Sequence, residues 1–230
     1  MNLDEILANS DENLKLLAVT KGRTVPQILT MLEETSITRI GENRLEEAME
    51  KLLPLKAKWA TKHPNNPLEK HFIGKLQSRK ISKIVKFFDV IQSVETIEQA
   101  EKISAAAAIS GPAESAKNIQ TFIQVNISSL PQRSGAPADL TQLQELAAKI
   151  TALPNINLIG LMGMASQDPQ KVRQEFRTLK SLQTALTQTH PQITECSMGM
   201  SSDYKIAIEE GSTMIRLGRV LFEDTTEVIE

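Results

Sequence analysis

The sequence predicts a single-domain (β/α)8 barrel over residues 1–230, an α/β fold in which eight parallel strands alternate with helices. Short apolar segments alternate with helical patterns along the whole chain, which is the order of βαβ units. Several segments are continuously apolar, as 158–162 is, and such runs are typical of parallel strands buried on both faces. Eight repeats in 230 residues fit the lower end of the size range of barrels. A doubly wound open sheet is the alternative that this pattern leaves open.

The elements are assigned in chain order from these patterns. Eight short, mainly apolar runs are the strand candidates: 16–20, 38–41, 71–74, 89–94, 119–127, 156–163, 194–199 and 213–217. Segments with helical spacing lie between them, at 25–35, 43–53, 76–88, 96–109, 139–153, 170–189 and 202–210. Two segments, 54–69 and 128–137, lack periodicity and carry turn residues, so they are predicted to be loops. No linker divides the chain into domains.

Composition and charge exclude several functional classes. The net charge is −2 and aromatic residues make up 3%, so neither a nucleic-acid-binding surface nor a base-stacking platform is expected. Residues 1–5 do not resemble a secretory signal, and no run approaches the roughly 18 apolar residues of a membrane span. Cys196 is the single cysteine, so no internal disulfide is expected and a reducing cytoplasm fits best. A barrel without an added domain favours a monomer.

Lys21 follows the first strand candidate. The run 16–20 reads Leu-Leu-Ala-Val-Thr and delivers Lys21 to the carboxyl end of the strand, directly before Gly22. Barrel and open-sheet enzymes place their reactive groups at these strand ends. A lysine there, among apolar neighbours, is a candidate Schiff-base amine. The alternative is a solvated lysine that simply ends a strand.

A second cluster, near the carboxyl terminus, predicts an anion site. Ser201 follows the seventh strand at the start of a helix, and Gly218 follows the eighth. In barrels the loops after these two strands often bind phosphate, because free backbone N–H groups and the helix dipole attract an anion. Gly218 leaves room for the anion, and Ser201 adds a hydroxyl donor. The alternative is that Ser201, Ser202 or Asp203 only caps the helix.

Arg216 lies between Ile215 and Leu217, inside the apolar run of the eighth strand. A charge buried there needs a partner, because burying it alone costs several kcal/mol. One hypothesis is a structural ion pair with Glu209, Glu210 or another carboxylate. The other hypothesis is that Arg216 donates to a ligand held over the barrel mouth.

Three further polar or sulfur-containing side chains belong to strands or strand ends. Asn43 follows the second strand, where it either caps the next helix or makes a polar contact in the barrel mouth. His71 begins the third strand and is expected to be a hydrogen-bonded structural residue. Cys196 lies within the seventh strand without an adjacent base, so its thiol is expected to behave as a small buried hydrophobe. No group of His, Cys or carboxylates has metal-ligand spacing, so no metal site is predicted.

The helical segment 76–88 carries a basic stripe. Four cations recur at helical spacing, namely Lys75, Arg79, Lys83 and Lys86. Apolar residues occupy a separate face, so the segment is predicted to be an amphipathic helix. Such stripes are usually solvated, and the alternative is a docking surface for an acidic partner protein or a polyanion.

Seven motifs stand in order along the chain: Lys21 after Leu-Ala-Val-Thr, Gly41-Glu42-Asn43, His71-Phe72-Ile73-Gly74 with Leu76-Gln77, Gln124-Val125-Asn126, Gly160-Leu161-Met162-Gly163-Met164, Ser197-Met198-Gly199-Met200-Ser201 and Arg216-Leu217-Gly218. Together they resemble the pyridoxal phosphate homeostasis protein family, also described as proline synthetase co-transcribed proteins. The resemblance covers nearly the whole chain, and the combination of motifs is highly specific.

The resemblance implies the barrel of fold type III pyridoxal phosphate proteins, similar to the N-terminal domain of alanine racemase without that enzyme's second domain. It implies that Lys21 forms a Schiff base with the cofactor pyridoxal 5'-phosphate. It further implies that Ser201 and the amides of Gly218 and Arg219 hold the phosphate, and that Arg216 donates to the pyridine nitrogen. Arg219 stands where a small hydroxyl residue is frequent in the family. Its backbone amide can still contact the phosphate, but the side-chain hydroxyl contact is lost.

Arg216 also bears on the activity. A guanidinium is always charged and only donates, so it disfavours protonation of the ring nitrogen and leaves a carbanion poorly stabilised. Racemases with that arrangement use a second base from another domain, for which 230 residues are expected to leave no room. The leading hypothesis is a carrier in pyridoxal phosphate homeostasis with little or no catalysis and with apo-enzymes as candidate recipients. The alternatives are a weak amino-acid racemase and a regulatory interaction module that uses the cofactor as a sensor.

Overall fold

Parallel strands close into a barrel. The structure, a computed structural model, describes residues 14–35, 37–111, 115–128, 130 and 132–222. Its strands are Lys15–Val19 (β1), Arg39–Glu42 (β2), Glu69–Phe72 (β3), Val90–Val94 (β4), Ile119–Asn126 (β5), Ala136–Pro137 (β6), Ile156–Gly163 (β7), Glu195–Met200 (β8) and Met214–Leu217 (β9). All except β6 form one ring, in which β1 pairs with both β2 and β9, and β4 pairs with β5. The predicted barrel is confirmed, and the open sheet is wrong.

Helices surround the barrel. Those in the described residues are Val25–Glu34 (α1), Leu45–Lys62 (α2), Ile81–Phe87 (α3), Ile97–Ala107 (α4), Leu140–Thr151 (α5), Pro169–Thr187 (α6) and Tyr204–Glu209 (α7). Thr24 and Gln27 form a capping box at α1, and the side chains of Thr96, Asp139 and Asp168 cap α4, α5 and α6. None of these helices has the length and apolar character needed to cross a bilayer.

The inward face of the strands leads to the site. Buried apolar side chains drawn only from strands form a small cluster in the barrel interior: Leu17, Val90, Phe122, Met162 and Met214. A larger cluster joins the outward residues of the strands to the helices. Since strand side chains alternate, the inward series of β1 continues from Leu17 through Val19 towards Lys21, and that of β9 continues through Arg216 towards Gly218. The two series end at the same rim of the barrel.

The segment 54–69 was predicted to be a loop, and that prediction is wrong for its first half. Helix α2 continues through Pro54 to Lys62. The missing amide of Pro54 weakens the helix, but Leu52, Leu55 and Trp59 keep helical spacing across it and are buried against the barrel. Burial of this apolar face therefore outweighs the proline.

Other boundaries shift where polar residues take part in packing. Strand β3 begins at Glu69, ahead of the predicted start at 71, because Glu69 and Lys70 already pair with Arg39 and Ile40 of β2. Their polar side chains are accommodated by pairing with His71 and Asp89. The predicted helix 76–88 is a 3₁₀ turn at Ser78–Lys80 followed by α3. In the predicted loop 128–137, residues 129 and 131 lie outside the described residues, and the short strand β6 forms its end.

Candidate binding site at the barrel mouth

A cavity of about 340 Å³ opens at the carboxyl ends of the strands. It is lined by Val19, Lys21, Asn43, Ile73, Met162, Met164, Met200, Ser201, Ser202, Arg216, Gly218 and Arg219. All six residues that the sequence predicts as cofactor contacts therefore lie around one cavity: Lys21, Asn43, Ser201, Arg216, Gly218 and Arg219. Its volume is within the range of small-molecule sites, roughly 300–1,000 Å³. The walls are largely apolar, with polar groups at separate points.

Lys21 is held by its two neighbours. The carbonyl of Thr20 accepts a hydrogen bond from Lys51 Nζ at 2.7 Å, and the amide of Gly22 donates to Glu47 Oε1 at 2.6 Å. Lys51 also donates to Glu47 at 2.9 Å, so one side-chain pair fastens the backbone on both sides of Lys21. The Lys21 residue itself is exposed. The backbone is fixed while the amine is left free to reach the cavity.

We call the Lys51–Glu47 pair, which holds the backbone on both sides of Lys21, the clamp. A buried carboxylate contacts this clamp. Glu42 has no exposed surface, its Oε1 lies 2.7 Å from Lys51 Nζ, and the Thr20 hydroxyl donates to the same oxygen. Burial raises the pKa of the Glu42 carboxyl, while the hydrogen bonds from Lys51 and Thr20 oppose that shift. In the sequence, Glu42 stands out only as part of the motif Gly41-Glu42-Asn43. Its position at the end of β2, followed by a lysine nine residues later in α2, is the signal that was missed.

Ser201 and Gly218 meet at the predicted anion site. Ser201 lies in the turn after β8, and its Oγ accepts a hydrogen bond from the Gly218 amide at 3.5 Å. Arg219 follows at the exposed start of a 3₁₀ turn. Asp203 occupies the N-cap position of α7 but makes no capping hydrogen bond, and its carboxylate accepts from the Met200 amide at 2.6 Å. The structure thus gives no support to helix capping as the role of these residues.

Arg216 is buried in the floor of the cavity, with 4% of its surface exposed. Its Nη1 donates to Ser197 Oγ at 2.8 Å and its Nη2 donates to the Gly163 carbonyl at 3.0 Å. Burial lowers the pKa of the Arg216 guanidinium to about 10. The hypothesis of an ion pair with the carboxylates of α7 and its end is wrong, because Glu209 and Glu210 pair with arginines of α6.

Asn43 lines the cavity and has an unused acceptor. The N-cap of α2 is Arg44, so the alternative that Asn43 caps this helix is wrong. Its Oδ1 is buried and has no hydrogen-bond partner among the described residues. A buried acceptor without a partner costs about 1–3 kcal/mol. A ligand that brings a donor to this point would recover that cost.

Cys196 is buried, as expected, and contacts the sulfur of Met198. Burial raises the pKa of its thiol to about 12, so the reactive thiolate is scarce near neutral pH. Within the described ranges, no three His, Cys, Asp or Glu side chains are placed to hold a metal ion.

The basic stripe is exposed, and the apolar face of α3 is buried. Lys75, Arg79, Lys83 and Lys86 all face solvent, which confirms the predicted amphipathic pattern. Lys86 also borders a separate cavity of about 450 Å³ on the outside of the barrel, in which Asp89 already pairs with Lys70 and Lys117. That cavity is lined by residues at the amino ends of β3, β4 and β5, away from the carboxyl ends of the strands, so we assign the candidate site to the barrel mouth. Docking of a partner on the stripe stays a prediction.

Comparison with known proteins agrees with this geometry. The family described as alanine racemase, N-terminal domain matches residues 1–226, so the barrel is of that class. A pyridoxal phosphate homeostasis protein of Vibrio cholerae is 36% identical over 91% of this chain and 85% of the relative. Another, from Synechocystis, is 34% identical over 96% of this chain and 95% of the relative. The chain belongs to the pyridoxal phosphate homeostasis protein family, which confirms the resemblance.

Solved structures show the same barrel. PipY of Synechococcus elongatus PCC7942, solved with PLP bound, is 30% identical to this chain. The match spans 96% of this chain and 98% of PipY, with a TM-score of 0.79. Alanine racemase of Clostridium difficile 630 superposes with a TM-score of 0.74 at 15% identity. This chain covers 55% of the racemase, so that likeness concerns the barrel fold alone.

Proposed function

We propose that this protein binds pyridoxal 5'-phosphate at the barrel mouth through a Schiff base to Lys21, and serves vitamin B6 homeostasis with little or no catalysis. The observation that carries the proposal is the single cavity that joins an amine, a buried guanidinium and a group of hydroxyl and amide donors. Pyridoxal phosphate has an aldehyde, a ring nitrogen and a phosphate, and each needs one of these partners. The PLP-bound state of PipY supports the choice of ligand.

Lys21 supplies the amine. It condenses with the aldehyde and releases water, so a neutral amine is needed at the moment of attack. The clamp made by Lys51 and Glu47 fixes the peptide groups on both sides of Lys21. A fixed backbone limits the search of the lysine side chain to its own rotamers, which favours a defined attachment point.

Ser201, Gly218 and Arg219 would hold the phosphate. The Ser201 hydroxyl and the two backbone amides are donors, and charge-assisted hydrogen bonds contribute roughly 1.5–3 kcal/mol each. The exposed Arg219 side chain adds positive charge at the same rim. Together these donors would supply most of the affinity.

Arg216 sets the chemistry of the ring nitrogen. When bound, the cofactor supplies an electron sink whose strength depends on protonation of that nitrogen. A guanidinium has donors only, so Arg216 favours the unprotonated ring and a weak sink. Among the described residues that line the cavity, the ionisable side chains are Lys21, Arg216 and Arg219, which leaves no second acid or base for racemisation. This arrangement favours a carrier over a racemase.

Absorbance spectroscopy of the purified protein with added pyridoxal phosphate tests the proposal. Wild type should develop the visible band of a lysine Schiff base, and borohydride should abolish that band. Lys21→Ala should lose it, while Lys75→Ala should keep it, because Lys75 is an exposed lysine near the end of β3 that lines no part of the cavity. Loss of the band in both variants, or in neither, would contradict the assignment.

Delivery to apo-enzymes, a monomeric state, a single domain and a cytoplasmic location stay predictions from the sequence. Light scattering checks the oligomeric state. Delivery is checked by the rate at which an apo-enzyme recovers activity from the loaded protein. Borohydride-reduced protein should restore none, since its cofactor can no longer leave.

A further inference from the structure

A continuous chain of hydrogen-bonded side chains crosses the barrel interior from the cavity towards its opposite end. Arg216 Nη1 donates to Ser197 Oγ at 2.8 Å, and Ser197 Oγ donates to Gln92 Oε1 at 2.8 Å. Gln92 Nε2 lies 2.9 Å from His71 Nδ1, and His71 Nε2 lies 2.7 Å from Glu69 Oε1. Glu69 is half-buried, and the other four residues are buried.

The donors of this chain all point one way. A guanidinium has no acceptor atom, so the Ser197 hydroxyl accepts a hydrogen bond from Arg216 and donates its own hydrogen bond to Gln92. The Gln92 amide accepts at Oε1 and donates at Nε2, which makes His71 Nδ1 an acceptor. His71 then carries its proton on Nε2 and donates to the Glu69 carboxylate. The amide orientation and the histidine tautomer are assigned from this network, so that each hydrogen bond of the chain joins one donor to one acceptor.

The chain connects opposite charges at its two ends. Arg216 forms no ion pair with any carboxylate of the described residues, although burying an unpaired charge is costly. Aligned hydrogen-bond dipoles polarise one another inside a protein, so the chain links the guanidinium to Glu69 without a carboxylate in direct contact with Arg216. Arg39 Nε lies 3.2 Å from Glu69 and completes the far end. A carboxylate at the near end would favour protonation of a ring nitrogen, which this chain avoids.

We propose that Ser197, Gln92 and His71 are positioning residues that hold the Arg216 guanidinium towards the ring nitrogen of the bound cofactor. The proposal rests on the proposed function, in which Arg216 faces that nitrogen. Ser197 Oγ holds Nη1 of the guanidinium by a hydrogen bond, and the Gly163 carbonyl holds Nη2. With both nitrogens held, the guanidinium cannot rotate, and its remaining N–H donors keep a fixed direction towards the ring nitrogen.

Two ligands separate positioning from a general structural role. Pyridoxal phosphate and its 1-deaza analogue, which has C–H in place of the ring nitrogen, are compared by equilibrium dialysis against wild type, Ser197→Ala and Cys196→Ala. Cys196 is the matched control, because it is the neighbouring buried residue of β8 and belongs to the outer cluster. Wild type and Cys196→Ala should prefer pyridoxal phosphate by about ten- to hundred-fold, the worth of one charge-assisted hydrogen bond. Ser197→Ala should lose most of that preference while it still binds the analogue.

The outcomes are distinguishable. The positioning role would be overturned if Ser197→Ala kept the preference for pyridoxal phosphate, or if it lost affinity for both ligands equally. No preference in wild type would overturn both this proposal and the Arg216 contact, while attachment to Lys21 is tested separately by its absorbance band. Nitrogen-15 spectra of wild type should show His71 as the neutral Nε2–H tautomer, assigned by comparison with His71→Gln. The Nδ1–H tautomer would contradict the direction of the chain.

Discussion

The ammonium of Lys51 donates to the carbonyl of Thr20 at 2.7 Å, one residue before the lysine that we propose to carry the cofactor. The same nitrogen lies 2.7 Å from the buried carboxylate of Glu42 and 2.9 Å from Glu47. A single side chain of α2 thus joins the end of β1, the end of β2 and the backbone beyond Lys21. The position of the reactive amine depends on a helix that does not line the cavity.

Lys51→Met should destabilise the protein by about 3–5 kcal/mol, because it leaves Glu42 buried without its cation. It should also slow attachment of the cofactor, since the Thr20 carbonyl is released. Chemical denaturation measures the free energy of unfolding, and Lys58→Met, on an exposed position of the same helix, is the control and should change it by less than about 0.5 kcal/mol. The double variant Lys51→Met/Glu42→Leu should recover much of the loss. A Lys51→Met variant as stable as the control would show that the clamp is not needed.

His71 should make stability depend on pH. Burial lowers the pKa of His71, while the hydrogen bond that His71 donates to Glu69 opposes the shift; the charge of Arg39 lowers this pKa further and that of Asp89 raises it. A base with a lowered pKa in the folded state gives stability that is present above the unfolded pKa of about 6.5 and is lost as the pH falls towards the lowered value. Wild type should therefore lose stability relative to His71→Gln as the pH falls through the unfolded pKa of about 6.5. Parallel stability curves for the two proteins would refute this assignment.

The phosphate contacts should be separable by substitution. Ser201→Ala should weaken binding of pyridoxal phosphate by about tenfold, and Gly218→Val should weaken it more, because a side chain would enter the space of the anion. A Cβ on Gly218 would meet only Val19, at 3.8 Å, so thermal stability should change little. Binding of pyridoxal, which lacks the phosphate, should be weak in wild type and nearly unaffected by either change. Equal affinity of wild type for the two forms would refute the phosphate site.

Substitution of Arg216 tests the predicted lack of catalysis. Wild type should racemise amino acids negligibly while it still exchanges its Schiff base with added amines. Arg216→Glu should increase exchange of the amino-acid α-proton per bound cofactor, because a carboxylate favours the protonated ring. Nuclear magnetic resonance in deuterated water measures this exchange, at matched cofactor occupancy. Brisk racemisation by wild type would favour the racemase alternative instead.

The sequence predicts the barrel and the rim of the site because both follow from local patterns. Apolar runs mark the strands, and the period of two carries Lys21 and Gly218 to the same end. Contacts that join distant parts of the chain leave no such pattern. Ser197 and Gln92 are 105 positions apart, and only closure of the ring brings them to 2.8 Å. Likewise Pro54 suggests a loop, whereas burial of the face that contains Trp59 preserves the helix.

The central claim is that Lys21 carries the cofactor, and peptide mapping after borohydride reduction tests it most directly. The reduced protein is digested, and the mass of each lysine-containing peptide is measured. The account predicts a phosphopyridoxyl group on the peptide that contains Lys21, at close to one per chain, and none after the same treatment of Lys21→Ala. A label on the peptide that contains Lys75 or Lys80, with Lys21 unmodified, would contradict it.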